Sequence, residues 1–310
     1  MGAFAAAVNH DRVMTCILVA PEAGVRRSAV RRQGGFGQSC AEGGAGQAAR
    51  RGTGERAMAT VTMKAAARAE GRYFYVWMGV AFVAVAFLGF VPTYWAPVAT
   101  ASFHGPRMQH VHGLVLTLWV LFYLVQSWLV ASGRSFDHRN WGQAGIALFT
   151  VVICTILVAE IGALHRAEIA GYGDAARRFA AVTLLGAALI VGLFTAAIVW
   201  ARRPDIHKRL MVVLMSAMMA PAIARVFIIM LAPGGGVGAP PPPGVAVAPT
   251  LIGCLLIVVG MVHDRRTIGR VHPAYLWGGL AVVVETLLTV PISASAGWVA
   301  FVQGFEGLAK

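Results

Sequence analysis

The sequence predicts an all-α integral membrane protein, a helical bundle of about seven transmembrane helices. Hydrophobic residues make up 58% of the 310 residues and charged residues 13%, and the mean hydropathy is +0.69. Soluble domains carry about 25% charged residues, and a chain this apolar could not cover its surface with polar groups in water. The apolar residues also fall into segments close to the roughly 20 residues that cross ~30 Å of hydrocarbon as a helix. The predicted partner of these segments is the lipid bilayer.

Seven segments qualify as spans, and two of them have special features. The sixth is short unless it begins within residues 245–248. The fifth contains Pro221, which removes a backbone hydrogen bond and predicts a kink in that helix. The predicted spans are residues 73–91, 109–131, 143–164, 179–201, 210–231, 249–262 and 274–292.

The first 70 residues differ in composition from the rest of the chain. They are rich in Ala, Gly and Arg and have no sustained apolar period. Such a segment cannot bury enough apolar surface to fold alone. We therefore expect residues 1–70 to be a disordered or untranslated N-terminal extension, with Met58 or Met63 as alternative start sites, and residues 71–310 to be the transmembrane domain.

The basic residues of the loops predict an orientation. They are more numerous after spans two, four and six than after spans one, three and five, which places the N-terminus in the cytoplasm and the C-terminus outside a bacterial inner membrane. The net charge of +13 is explained by these loops and the tail, so no nucleic-acid partner is expected. The first set of loops holds Arg134, Arg139, Arg202, Arg203, Lys208, Arg209, Arg265, Arg266 and Arg270, and the second holds Arg107, Arg166, Arg177 and Arg178.

The loop after span five is a Gly/Pro run at residues 234–244, with four consecutive prolines and no charge. Proline-rich segments of this kind adopt extended polyproline II structure. We expect it to form an extracytoplasmic linker that is partly polyproline II.

Similar turns follow spans two and four, and they suggest that the bundle is built from repeated helical hairpins. Each turn places an Arg four residues before a His, Arg134 before His138 and Arg203 before His207, with an Asp between them and a cation directly after the His. Internal repeats are common in membrane bundles. The alternative is a basic turn in which Asp caps the next helix and the cations face lipid phosphates.

Three ionisable residues lie inside predicted spans, where a charge is costly and is often functional. Glu160 is in the third span, Arg225 in the fifth and Glu285 in the seventh. Pairing Arg225 with either carboxylate would remove most of the cost of burying each charge alone. The three therefore form a predicted intramembrane polar cluster, either a static ion pair between helices or the lining of a cavity.

Histidines gather in loops and at predicted membrane boundaries, where imidazoles often bind haem or metal. The candidate ligands are His110, His112, His138 and His207. His110 and His112 lie two residues apart, so in a helix their side chains point about 200° away from each other and cannot share an ion. Simple interfacial positions are the alternative explanation.

One face of span two combines polar and aromatic side chains at helical spacing. Residues three or four apart fall on one side of a helix, which predicts a continuous strip along this span. The strip consists of His112, Leu116, Trp119, Tyr123 and Gln126.

From residue 73 onward the chain resembles uncharacterised bacterial multi-helix membrane proteins known as domains of unknown function. Two of the motifs are also similar to the helix starts of membrane proteins linked to haem and respiratory oxidase assembly, which implies haem as a cofactor. The motifs are His110-x-His112-Gly113 with Gln126 later in that span, Asp137-His138-Arg139-x-x-Gly142, and His207-Lys208-Arg209-Leu210-Met211.

No motif in the chain names a reaction. There is no Walker loop, GxSxG, HExxH or CxxC, and the seventh span has no lysine for a retinal Schiff base. Three functions stay open, and enzyme activity is undetermined. The first, and the one we favour from the sequence, is a non-catalytic component of a membrane complex. The others are a haem- or metal-linked redox protein using the histidines, and a transporter using the polar cluster.

Overall fold

The computed structural model describes residues 71–231 and 240–307. The predicted N-terminal extension, residues 1–70, lies outside the described residues. Within the described residues the protein is all helical and has no strand. In the described part of the chain, seven helical segments are long and apolar enough to cross a membrane, which confirms the predicted helical bundle.

The helices are numbered here in chain order, and α5 and α6 together form the fifth span. Residues Val91–Trp95 within α1 form a π-helical turn, and a short 3₁₀ turn, Pro243–Ala246, precedes α7. The helices are α1 (Gly71–Ala99), α2 (Arg107–Ala131), α3 (Ser135–Ile169), α4 (Gly173–Val199), α5 (Pro204–Met218), α6 (Ala220–Leu231), α7 (Val247–Ile268), α8 (Pro273–Ala294) and α9 (Ala296–Gly307).

Each predicted span corresponds to one helix or to the α5–α6 pair. The third is longer than predicted, 35 residues, because its polar flanks continue the helix at both ends. The sixth begins at Val247, inside the predicted stretch. The fifth is interrupted at Met219, and Pro221 follows as the second residue of α6, a position where proline needs no backbone donor.

The proline-rich linker is described only from residue 240, so most of its predicted polyproline II structure lies outside the described residues. Pro242 is extended, with φ −62° and ψ 142°, which are polyproline II angles. The chain then turns directly into α7.

Helix α9 is an element that the sequence reading did not predict, because 12 residues are too few to span a bilayer. It packs against α4 and α8. The indole Nε1–H of Trp298 donates to the Arg177 carbonyl at 2.8 Å, and the Arg177 guanidinium bonds the Glu306 carboxylate at 3.1 Å. These two bonds attach the C-terminal helix to the start of α4.

The core is an aromatic cluster where α2, α3 and α4 meet. Trp119 lies 5.1 Å from Phe149 between ring centres, and Phe149 stacks on Phe194 at 3.9 Å. All three side chains are buried. Because lipid tails are as apolar as these side chains, close packing rather than exclusion from water holds such helices together.

The bundle has two ends that differ in charge. The basic end is where α1 begins, where α2, α4 and α7 end, and where α3, α5 and α8 begin. The opposite end is where α1, α3, α6 and α8 end and where α9 lies. The more basic set of loops belongs to the basic end.

Candidate functional site

The predicted polar and aromatic strip of α2 faces the interior of the bundle. Trp119, Tyr123 and Gln126 are 2%, 6% and 8% exposed, and His112 is half-buried. The strip therefore runs through the protein from the opposite end to the basic end. Within the described residues, neither the Trp119 Nε1–H nor the Gln126 amide group has a hydrogen-bond partner.

At the basic end, the two repeated turns bring their histidines into contact. The imidazole rings of His138 and His207 are 6.2 Å apart between centres and are inclined by 70°. His138 lies in the first turn of α3 and His207 in the first turn of α5. Sequence similarity between the turns is thus matched by proximity of the equivalent side chains.

The tautomer of His207 is set by its backbone partner. Its Nδ1 lies 2.8 Å from the Ala197 carbonyl oxygen. A carbonyl can only accept, so Nδ1 carries the proton and Nε2 presents a lone pair. This is how the second ring nitrogen of a metal-binding histidine is usually held.

His138 and Gln126 leave buried polar atoms without partners. The His138 ring lies against the backbone carbonyl of Gln126. Its Nδ1, together with both polar atoms of the Gln126 side-chain amide, is buried and has no hydrogen-bond partner in the described part of the chain. Buried polar atoms are nearly always bonded to protein, water or an ion. The unpartnered Nδ1 of His138, in a ring that meets the His207 ring, therefore indicates a ligand-binding position.

A buried ion pair lies beside the histidines at the basic end. Arg209 donates from Nε and from Nη2 to the two oxygens of Asp264, both at 2.7 Å, and the side chains are 5% and 1% exposed. The Asp264 carboxylate also accepts from the His272 backbone N–H at 3.3 Å. The pair joins α5 to α7 and to the turn before α8.

Arg209 and Asp264 were missed by the sequence reading. Arg209 was assigned to a turn whose cations face lipid phosphates, but its guanidinium is buried against Asp264 and lies 6.0 Å from the centre of the Tyr275 ring. The available signal was an Asp at the end of one span and an Arg at the start of another, both at the basic end.

The predicted helix caps are also not formed. Asp137 and Asp205 lie within the first turns of α3 and α5, where neither N-cap residue makes a side-chain cap bond. Asp137 instead pairs with Arg134 at 2.7 Å. Both carboxylates still stabilise the N-termini of their helices through the helix dipole.

At the opposite end, His110 and His112 are held apart, as the helical spacing predicted. His110 Nδ1 lies 2.8 Å from the Tyr94 hydroxyl of α1, and His112 Nδ1 lies 3.3 Å from the Thr155 hydroxyl of α3. Of the four candidate ligands, only His138 and His207 contact each other.

The predicted cluster of Glu160, Arg225 and Glu285 is not formed as an ion-paired group. Arg225 has no carboxylate at ion-pairing distance in the described chain, and its guanidinium lies 5.4 Å from the centre of the Phe90 ring. Glu160 lies beside Thr183, and Glu285 accepts hydrogen bonds from hydroxyls of its own helix.

The break at Met219 is the physical reason for this separation. It makes α6 a separate helix, and α6 packs against α7 and against the π-helical turn of α1. Arg225 is thereby placed on α1, whereas the carboxylates belong to α3 and α8. The transport hypothesis, in which the three residues line a polar cavity, stays a prediction.

Within residues 71–231 and 240–307, no three His, Cys, Asp or Glu side chains are grouped to hold one metal ion. A closed structural zinc site, which uses four such ligands, is therefore absent from the described part of the protein. The histidine pair is an open site with two protein nitrogens, and the Gln126 backbone lies against one of its rings.

Comparisons with protein-family models, with curated proteins and with solved structures give no match to this chain.

Proposed function

We propose that this membrane protein binds a transition-metal ion at its basic end, with His138 and His207 as ligands and Gln126 as the third donor. The observation that supports it is the contact between two imidazoles, one with Nε2 free and one with an unpartnered buried Nδ1. Imidazole nitrogens suit zinc, copper, iron and nickel. The proposal belongs to the metal-linked class of function that the sequence left open.

The ring separation fits a shared ion. Two imidazoles bound at about 2.0–2.1 Å to one metal have ring centres roughly 5–6 Å apart, depending on the angle at the metal. The 6.2 Å between His138 and His207 requires at most a small closing movement. Two protein nitrogens and one amide oxygen leave coordination positions for water or a further ligand, as catalytic and transfer sites do.

The other two histidines are poorer ligands for a cation. The Nδ1 of His112 lies 3.3 Å from the Thr155 hydroxyl, which occupies that ring nitrogen. His110 is occupied by the Tyr94 hydroxyl.

Copper(II) binding to the full-length protein in mild detergent tests the proposal. We expect one ion per chain, an electron paramagnetic resonance spectrum with coupling to two imidazole nitrogens, and loss of at least about tenfold in affinity in His138→Ala and in His207→Ala, because each removes one of only two nitrogen ligands. An absorption spectrum of the same preparation tests the haem expectation, since haem would give a Soret band that either substitution removes.

His165→Ala is the matched control, because this histidine is exposed on the same helix as His138. It should leave the signal unchanged. A spectrum with no nitrogen coupling, or one that responds equally to all three substitutions, would disprove binding at the pair.

We also propose that the basic end faces the cytoplasm of a bacterial inner membrane, which the distribution of loop cations supports. With seven spans, the chain end after α9 is then outside. A topology reporter fused after Lys310 should be active only if it is extracytoplasmic, and the same reporter placed in the loop at Arg202 should give the cytoplasmic signal. Reversal of both signals would reject the orientation, and a cytoplasmic signal from both would reject the span count.

A further inference from the structure

Arg225 is a cation that lies well inside the bundle at the opposite end without a counter-charge in the described chain. Its guanidinium is half-buried on the Phe90 ring, and the nearest titratable neighbour identified is His112, which is not an anion. A charge held away from water is costly unless it is paired. The fold nevertheless keeps Arg225 in contact with α1.

The segment of α1 beside Arg225 carries further unpartnered donors. Phe90 is followed by the π-helical turn Val91–Trp95, which packs against α6. The Thr93 hydroxyl and the Trp95 indole Nε1–H are both buried there and have no hydrogen-bond partner among the described residues. Single π-helical turns occur frequently at functional sites.

The turn that carries these donors packs against α6, the helix of Arg225. In a π-helix the residue five positions along returns to the same face, so Trp95 shares the face of Phe90. The Trp95 ring stacks on Phe87 at 5.3 Å with 5° between planes, which fixes the direction of its N–H. The packing of the turn against α6 completes the arrangement.

The chemistry of the cluster selects an anion. An arginine and a tryptophan can only donate hydrogen bonds, and the threonine hydroxyl has a proton to give. No carboxylate takes part. Guanidinium groups bind phosphate oxygens with paired, charge-assisted hydrogen bonds.

We propose that Arg225, Thr93 and Trp95 form a binding site for a phosphate group at the opposite end of the bundle. Trp95 is four residues from the end of α1 and Arg225 six from the end of α6, about 6 Å and 9 Å along the helices. That depth is within reach of the headgroup phosphate of an anionic phospholipid and also of phosphate in solution.

Two measurements on the full-length protein distinguish these sources. Native mass spectrometry from mixed phosphatidylglycerol and phosphatidylcholine nanodiscs reports retained lipid, and a titration with inorganic phosphate in detergent, followed by isothermal titration calorimetry, reports the free anion. Arg225→Gln should weaken binding roughly 10- to 100-fold, because it removes a pair of charge-assisted hydrogen bonds. Arg107→Gln, an exposed cation at the same end, should leave binding unchanged.

Trp95→Phe provides a second variant in case Arg225→Gln does not fold. It keeps the ring stacked on Phe87, removes only the indole N–H, and should weaken binding several-fold. If the variants lose only the retained phosphatidylglycerol, the ligand is the lipid headgroup. If they lose only the response to inorganic phosphate, the ligand is the soluble anion. The proposal would be overturned if neither ligand bound to the folded wild-type protein. It would also be overturned if Arg107→Gln weakened binding as much as Arg225→Gln does.

Discussion

Replacing Arg209 by alanine is expected to destabilise the protein by about 3–5 kcal/mol, because it leaves the Asp264 carboxylate buried and unpaired. Asp264 is 1% exposed and receives two 2.7 Å hydrogen bonds from Arg209. Its other neighbours, the His272 backbone N–H and the Lys208 ammonium, do not replace the two hydrogen bonds from the guanidinium. The measurement is unfolding by titration with sodium dodecyl sulfate in mixed micelles.

An exposed ion pair of the same chemistry supplies the control. Arg134 and Asp137 also approach to 2.7 Å, but their side chains are 55% and 36% exposed, so Arg134→Ala should cost at most about 1 kcal/mol. The double substitution Arg209→Met with Asp264→Leu removes both charges and should recover much of the stability lost by Arg209→Ala. If Arg209→Ala and Arg134→Ala lowered the free energy of unfolding equally, the buried pair would contribute no more to stability than the exposed pair.

The helical bundle could be predicted from the sequence because the bilayer imposes a length and a composition on each span. The seven segments follow from those two rules, and the interruption of the fifth near Pro221 follows from the backbone hydrogen bond that proline removes. Helix α9 does not, because a 12-residue helix held by Trp298 and Arg177 satisfies no length rule. Its position depends on hydrogen bonds to a helix more than a hundred residues earlier in the chain.

The candidate sites could be predicted only in part, because sequence spacing gives depth in the membrane but not the neighbour of each helix. The repeat identified His138 and His207 as equivalent, and the fold adds that their rings meet. The three residues Arg225, Glu160 and Glu285 were predicted to lie at compatible depths in the membrane, and depth was the only support for pairing them. The partners of α6 are decided by the break at Met219, and no pattern in the sequence specifies which helix it then contacts.

The two ends of the bundle differ in how their charged groups are balanced. At the basic end, Arg209 has a carboxylate partner, and the unpartnered atoms include the His138 imidazole Nδ1 and the Gln126 amide, which suit a cation, besides the Tyr75 and Tyr275 hydroxyls. At the opposite end, Arg225 has no such partner in the described chain, and the unpartnered groups of the neighbouring α1 turn, Thr93 and Trp95, are donors that suit an anion. The metal proposal and the phosphate proposal therefore rest on different residues, and each can fail without affecting the other.

Replacing Gly260 by valine is expected to cost about 1–3 kcal/mol or more by overpacking the contact between α7 and α8. A Cβ at this position would lie 2.6 Å from both the ring and the hydroxyl of Tyr275, whose side chain is fully buried. Asp264 is one helical turn further along α7, so a valine that displaces α8 also disturbs the ion pair with Arg209. Both effects lower stability in the same detergent titration.

Gly192→Val in α4 is the matched control, because a Cβ there would meet no other atom within 4 Å. It makes the same change in backbone freedom without the steric contact, so its effect on stability should be small. Replacing Tyr275 by leucine in the Gly260→Val background removes the crowded ring atoms and should restore part of the lost stability, and the four variants together measure the coupling between the two positions. If the effects of Gly260→Val and Tyr275→Leu were simply additive, the loss would have to come from backbone changes in α7 rather than from the approach of α8.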